Sequence, residues 1–216
     1  MQIKKTFFIA LLALAAASAS ATTTFNVRDF GAKGDGRTLD HTAINAAIEA
    51  AEKAGGGQVC LPAGTYLSGS IRLKSNIDLH LESGATILAA PASMKAYDES
   101  ESFGGFPEYQ DGGHTYFHNS LIWAEGQQNV SITGHGMIDG KGLTKKDTER
   151  AGQLQGGSIG TGDKAIALKL CRQVTIRDIT IYRGGHFAII MTGCDLSTVD
   201  NVTIDTNRDG FDIDCC

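Results

Sequence analysis

Residues 171–181 (CRQVTIRDITI) and 194–204 (CDLSTVDNVTI) repeat one another at an offset of 23. The overlay sets Ile176 on Val199, Ile179 on Val202 and Ile181 on Ile204; Ile166 maps to Ile189, and Phe211 follows Ile189 by 22. An earlier copy, Asn129-Val130-Ser131-Ile132, precedes Gln173-Val174-Thr175-Ile176 by 44, about two periods, with the excess falling in the Gly- and Lys-rich stretch 141–163. A period of this length carrying several short β-branched strands is one coil of a solenoid. A single coil cannot bury its apolar side, whereas a stack of them can. The repeat therefore predicts an all-β chain, a right-handed parallel β-helix.

The rest of the chain agrees with that reading. Its 27 glycines against 3 prolines imply many tight turns between short strands, and 42% hydrophobic residues over 216 positions suffice for one domain with a substantial core. Between Val59 and Ile87, apolar residues alternate with polar or small ones (Val59, Leu61; Ile71, Leu73; Ile77, Leu79, Leu81), punctuated by Gly64, Gly69 and Gly84. One helix precedes them. Ile44, Ala47, Ile48 and Ala51 recur at helical spacing, Asp40 or Thr42 is available as cap, and Gly55-Gly56-Gly57 stops it. Its expected role is to cover the open end of the stack. The segment 90–118 is irregular, and its aromatics Phe103, Phe106, Tyr109, Tyr116 and Phe117 serve either to face a sugar substrate or to pin the loop itself.

Lys4 and Lys5, the apolar run Phe7 to Ala17, and Ala19-Ser20-Ala21 have the form of a signal peptide over residues 1–21, too short in its apolar run to span a bilayer. The expectation is export to the periplasm or beyond, with 22–216 as the mature domain and no membrane span. A net charge of −5 argues against a nucleic-acid partner, which demands a concentrated basic face. Cys171, Cys194 and Cys216 recur with the coil and should stack at one turn. Stacked side chains point the same way, which favours a ladder of buried thiols, although an exported chain permits disulfides.

Three carboxylates crowd the final stretch Thr206-Asn207-Arg208-Asp209-Gly210-Phe211-Asp212-Ile213-Asp214. Alternation places Phe211 and Ile213 toward the core and Asp212 and Asp214 outward, with Asp209 in the preceding turn. Such crowding raises at least one pKa toward the value a general acid or base needs. Inverting glycosidases use carboxylates about 6.5–9.5 Å apart, a spacing that adjacent coils can supply.

Taken together, FNVRDFGAKGDG (25–36), GGGQVCLPAGTY (55–66), LSGSIRLKSNIDLHLESGATI (67–87), NVSITGHGMIDG (129–140) and above all NRDGFDID (207–214) make the chain resemble glycoside hydrolase family 28, the polygalacturonase-like pectin hydrolases. NRDG looks like that family's NTDG motif, with Arg208 in place of threonine. The resemblance implies a pectin-lyase-like β-helix that hydrolyses pectic polysaccharide as a monomer, without cofactor or metal. By position, Asp209 would be a carboxylate that activates water, and Asn207 a neighbour that shapes the site. The family's Asp-Asp pair, Gly-His-Gly and Arg-x-Lys do not follow Asp209. The resemblance thus implies an N-terminal portion, C-terminally incomplete and inactive in pectin hydrolysis by itself. Gly134-His135-Gly136 and Thr161-Gly162-Asp163-Lys164 copy motif letters before NRDG and read as turns.

Further substrate-binding candidates are Arg208 and Asp212, beside Asp209, and His186, one coil below it. Arg183 and the basic run Lys141, Lys145, Lys146 and Arg150 offer positive charge to an acidic glycan or are a solvated surface; Asp214 reads as a solvated strand-face acid. Two rival functions share the fold. One is a Ca²⁺-dependent polysaccharide lyase with the ion on Asp209, Asp212 and Asp214, and the other is a β-helix that only binds glycans.

Overall fold

Isoleucine stacks on isoleucine from coil to coil in the computed structural model, which describes residues 23–101, 112–144, 149–150, 153–154 and 159–216. The segment 1–21 expected to be a signal peptide, Phe103, Phe106, Tyr109, Lys145, Lys146 and the side chain of Arg150 lie outside the described residues. Among the described residues the strands form three parallel sheets of six, six and five strands, plus one short antiparallel pair. The architecture is a right-handed parallel β-helix.

Each sheet carries an inward column that the repeat anticipates. In the first, Val59, Leu79, Ile132, Ile176 and Val199 are successive register partners. In the second the column runs Tyr66, Ile87, Ile138, Ile181, Ile204. In the third it runs Ile71, Ile122, Ile166, Ile189, Phe211. Members from Ile71 to Ile189 are fully buried, each worth about 1.5–3 kcal/mol of apolar transfer. Parallel in-register stacking repeats one side-chain shape along the axis, so β-branched residues pack on their own kind.

The coil corners repeat as well. Asn76, Asn129, Gln173 and Leu196 all have φ between 53° and 63°, and Gly126, Leu170, Gly193 and Cys215 mark a second left-handed corner. The turns are thus set by backbone position, with glycine or asparagine present on some coils and leucine forced into the same conformation on others.

Helix His41–Lys53 packs Ile44, Ala47, Ile48 and Ala51 onto the first coil, as the pattern predicts. Asp40 stands at its start without capping it. Its buried carboxylate instead accepts from the backbone N–H groups of Lys33 (2.7 Å) and Gly34 (2.9 Å), tying down the preceding loop. The helix ends where the Gly56 N–H donates to Ala51 O at 2.9 Å.

At the other end, Phe211 and Ile213 align with Ile189 and Met191 but remain 40% and 54% exposed, because no described strand lies over them. Both side chains therefore face inward, as the alternation predicts, while staying uncovered on the side away from the coil below. All five cysteines are free thiols. Cys171 and Cys194 are buried, and each bonds the carbonyl two residues earlier and one on the coil below: Lys169 (3.4 Å) and Ala124 (3.6 Å), then Thr192 (3.7 Å) and Leu168 (3.6 Å). Cys216 repeats the pattern on Asp214 and Met191 while exposed. Among the described residues no helix is long and apolar enough to cross a membrane.

Candidate active site

The strand Asp209–Asp214 is the last of the third sheet, and its register places each carboxylate at the head of a column. Asp209 follows Ser120, Lys164 and Phe187; Asp212 follows Arg72, Trp123, Ala167 and Ile190; Asp214 follows Glu125, Lys169 and Thr192. Asp212 and Asp214 are two residues apart on one strand and share its outer face.

Asp209 is open to solvent, its side chain 55% exposed, with Arg208 Nε at 3.8 Å and His186 Nε2 at 3.9 Å from its Oδ2. Asn207 is exposed in the bend before the strand. His186 does not reach the open groove. It is 1% exposed, stacked on the Phe187 ring at 4.2 Å, and its backbone N–H donates to Asp163 O at 2.6 Å. A sugar would meet Asp209 before it met His186.

A strap, residues 112–119, covers this part of the sheet. Phe117 packs with Ala167, Phe187, Ile190 and Trp123. Gly113 lies so close that a Cβ there would stand 2.4 Å from His186 Cε1. The Glu101 carboxylate receives the backbone N–H groups of Phe117 (2.9 Å) and His118 (2.9 Å), and the His118 ring stacks on Trp123 at 3.9 Å. His118 Nε2 is 2.8 Å from Glu125 Oε2, and Lys169 Nζ is 3.2 Å from Oε1 of the same carboxylate. Burial pushes the Glu125 pKa up, but the hydrogen bonds from His118 and Lys169 outweigh it and hold the group below its ordinary value. Aromatics here pin the loop, one of the two roles expected of this segment.

Of the other basic candidates, Arg183 is committed to a two-point pair with Asp139, its Nε 2.8 Å from Oδ1, and lies over the Tyr182 ring. Lys141 is exposed. His135 occupies the bend between two strands, as a turn should. Thr161-Gly162-Asp163-Lys164 is not merely a turn. Lys164 opens a strand, is fully buried, and pairs with Asp163 Oδ1 at 2.7 Å in the column beneath Asp209. Sequence reasoning also passed over His114. On the short helix Gly112–Thr115 it brings Nε2 to 3.1 Å from Asp212 Oδ2, across 98 residues of chain. No periodicity links it to the coils; its only signal is a histidine beside two glycines in an aromatic-rich loop.

Residues 24–214 match the model of a family described as rhamnogalacturonase A/epimerase, pectate lyase-like. A probable polygalacturonase of Vitis vinifera is 29% identical over 87% of this chain and 39% of its own length. Alginate lyase 7 of Azotobacter vinelandii is 54% identical over 24% of this chain and 7% of its own length. The family 28 exopolygalacturonase of Yersinia enterocolitica superposes with a TM-score of 0.69 at 25% identity, covering 89% of this chain and 41% of that one. The chain therefore spans well under half the length of these relatives.

Proposed function

The chain belongs to the rhamnogalacturonase A/epimerase, pectate lyase-like family, and from that premise we propose that it is an exported glycosidase-type β-helix acting on acidic pectic polysaccharide. The observation that carries the reading is Asp209: an exposed carboxylate in a family 28-like NRDG turn, with Arg208 beside it. In an inverting hydrolysis Asp209 takes the proton from water as that water attacks the anomeric carbon. A second carboxyl group, about 6.5–9.5 Å away, protonates the leaving oxygen. Arg208 offers a planar donor fork suited to a uronate carboxylate. His186, shielded beneath the strap, supports Asp209 rather than the sugar.

Turnover also draws on a general acid, a second carboxyl group across the scissile bond from Asp209. Binding is accordingly the readout that these residues meet by themselves. Purified protein should bind polygalacturonate, more weakly as salt rises and at least about tenfold more weakly in Arg208→Ala, from the loss of a charge-assisted contact of about 1.5–3 kcal/mol. Asp209→Asn should retain binding. Where turnover is measurable it should release reducing ends without unsaturated sugars and vanish in Asp209→Asn. No affinity for polygalacturonate sinks the substrate class. Unsaturated products would favour the alternative raised by the alginate lyase relative, proton abstraction and elimination.

A further inference from the structure

His114 is the groove residue that the hydrolase reading leaves without work. One of its ring nitrogens and one carboxylate oxygen each from Asp212 and Asp214 lie within 4.8 Å of one another, and all three residues are half-buried. The donors come from two elements that only the fold brings together, the strap helix Gly112–Thr115 and the last strand of the third sheet.

The arrangement is held from both sides. Gly113 lets the strap backbone rest directly on the His186 and Phe187 rings, and the His114 ring meets Phe187 edge-on at 5.0 Å and 75°. Asp212 and Asp214 are fixed by parallel pairing to Ile190 and Thr192. One imidazole answers one carboxylate, Asp212, yet two are present. Among the described residues the Asp214 carboxylate makes no hydrogen bond or ion pair, and neither does the Thr192 hydroxyl below it in the column, although that oxygen is shielded from solvent. The site thus combines a nitrogen donor with two carboxylates, one of which, Asp214, carries no hydrogen bond or ion pair among the described residues.

We propose that His114, Asp212 and Asp214 bind a divalent first-row transition ion. Two carboxylates balance its charge and a neutral imidazole completes three donors on one side, leaving the remaining positions to water or a ligand in the groove. An imidazole among so few oxygens suits Mn²⁺ or Zn²⁺ better than Ca²⁺, which gathers 6–8 oxygen ligands.

The test uses the purified protein, stripped with chelator and titrated with Mn²⁺ alone, because manganese avoids the thiols that attract zinc. One ion per chain is expected by calorimetry and by quenching of the free-ion electron paramagnetic resonance signal. Asp214→Asn, which keeps the side-chain shape, and His114→Ala should each weaken binding at least tenfold while circular dichroism stays that of the parent. Absence of Mn²⁺ binding, or binding unchanged in both variants, overturns the proposal. Ca²⁺ binding as tight as Mn²⁺ and indifferent to His114→Ala also overturns it. Glycan turnover enters none of these readouts, so the site stands or falls separately from the role of Asp209.

Discussion

Asp209 Oδ2 lies 3.9 Å from His186 Nε2, a contact between a side chain 55% open to water and one that is 99% shut away from it. The pair joins the groove to the packing beneath it, and the two residues should fail differently. His186→Ala removes a ring wedged between Phe187 and the Gly113 backbone, and should cost about 2–5 kcal/mol as large-to-alanine changes in cores do. Asp209→Asn should shift stability by no more than about 0.5 kcal/mol, as exposed substitutions do. Urea unfolding of the two variants decides it; equal losses would mean that Asp209 is structural.

Gly113→Ala tests whether the strap is seated as described. The new methyl meets His186 Cε1 at 2.4 Å, so the strap must lift or the ring must turn. Overpacking of this kind costs about 1–3 kcal/mol. The expected signature is that loss together with a changed His114 ring environment by NMR, since His114 is the next residue. A neutral Gly113→Ala would show that the strap does not press on the sheet.

Lys164 is fully buried with Asp163 as its ion-pair partner at 2.7 Å. Lys164→Met strands the carboxylate in the interior and should cost about 3–5 kcal/mol. Adding Asp163→Asn removes the stranded charge and should recover part of that loss, which a double-mutant cycle measures directly. Strict additivity of the two changes would refute the coupling.

The 23-residue offset made most of this fold legible, because a parallel stack turns sequence period into spatial register. Ile176 over Val199 and Ile181 over Ile204 are read from sequence and found in space. The groove was legible only where it lies on the coils. Asp209 and Asp212 could be placed by counting, but the offset on this strand is 22, so Phe187 and not His186 lies beneath Asp209; His114 and Gly113 belong to a strap outside the period, and their distance from Asp212 is set by tertiary packing. Lys164 was misjudged for a different reason. A lysine after Thr-Gly-Asp has the chemistry of an exposed turn, and its burial goes with the aspartate that pairs it and the strands on either side that carry Ser120 and Phe187.

Leu196 exposes the cost of a corner that the fold dictates. Its φ of 53° is the left-handed conformation held at the same corner by Asn76 and Asn129, and its side chain is 65% exposed. An ordinary L-residue there is strained by about 1–2 kcal/mol, and asparagine tolerates the geometry better. Leu196→Asn should therefore stabilise by about 0.5–1 kcal/mol, read as a higher urea midpoint with an unchanged slope. A lower midpoint would show that the leucine contributes packing that its exposure conceals.

Cys60 carries the last prediction, on pH. Burial, and then its hydrogen bond to Glu82 Oε1 at 3.2 Å, push its thiol from 9.0 up to about 12. The folded state therefore prefers the protonated thiol. That contribution is intact below pH 9 and is lost as pH rises toward 12, where the unfolded chain ionises first. Only the thiolate alkylates, so in native protein at mildly alkaline pH exposed Cys215 and Cys216 should react with iodoacetamide while Cys60 should not. Cys60→Ser should flatten the loss of stability above pH 9, and a profile identical to the parent would sink the assignment. Glu82→Gln supplies the control: it removes the charge next to the sulfur but leaves the burial, so part of the protection of Cys60 from alkylation should persist.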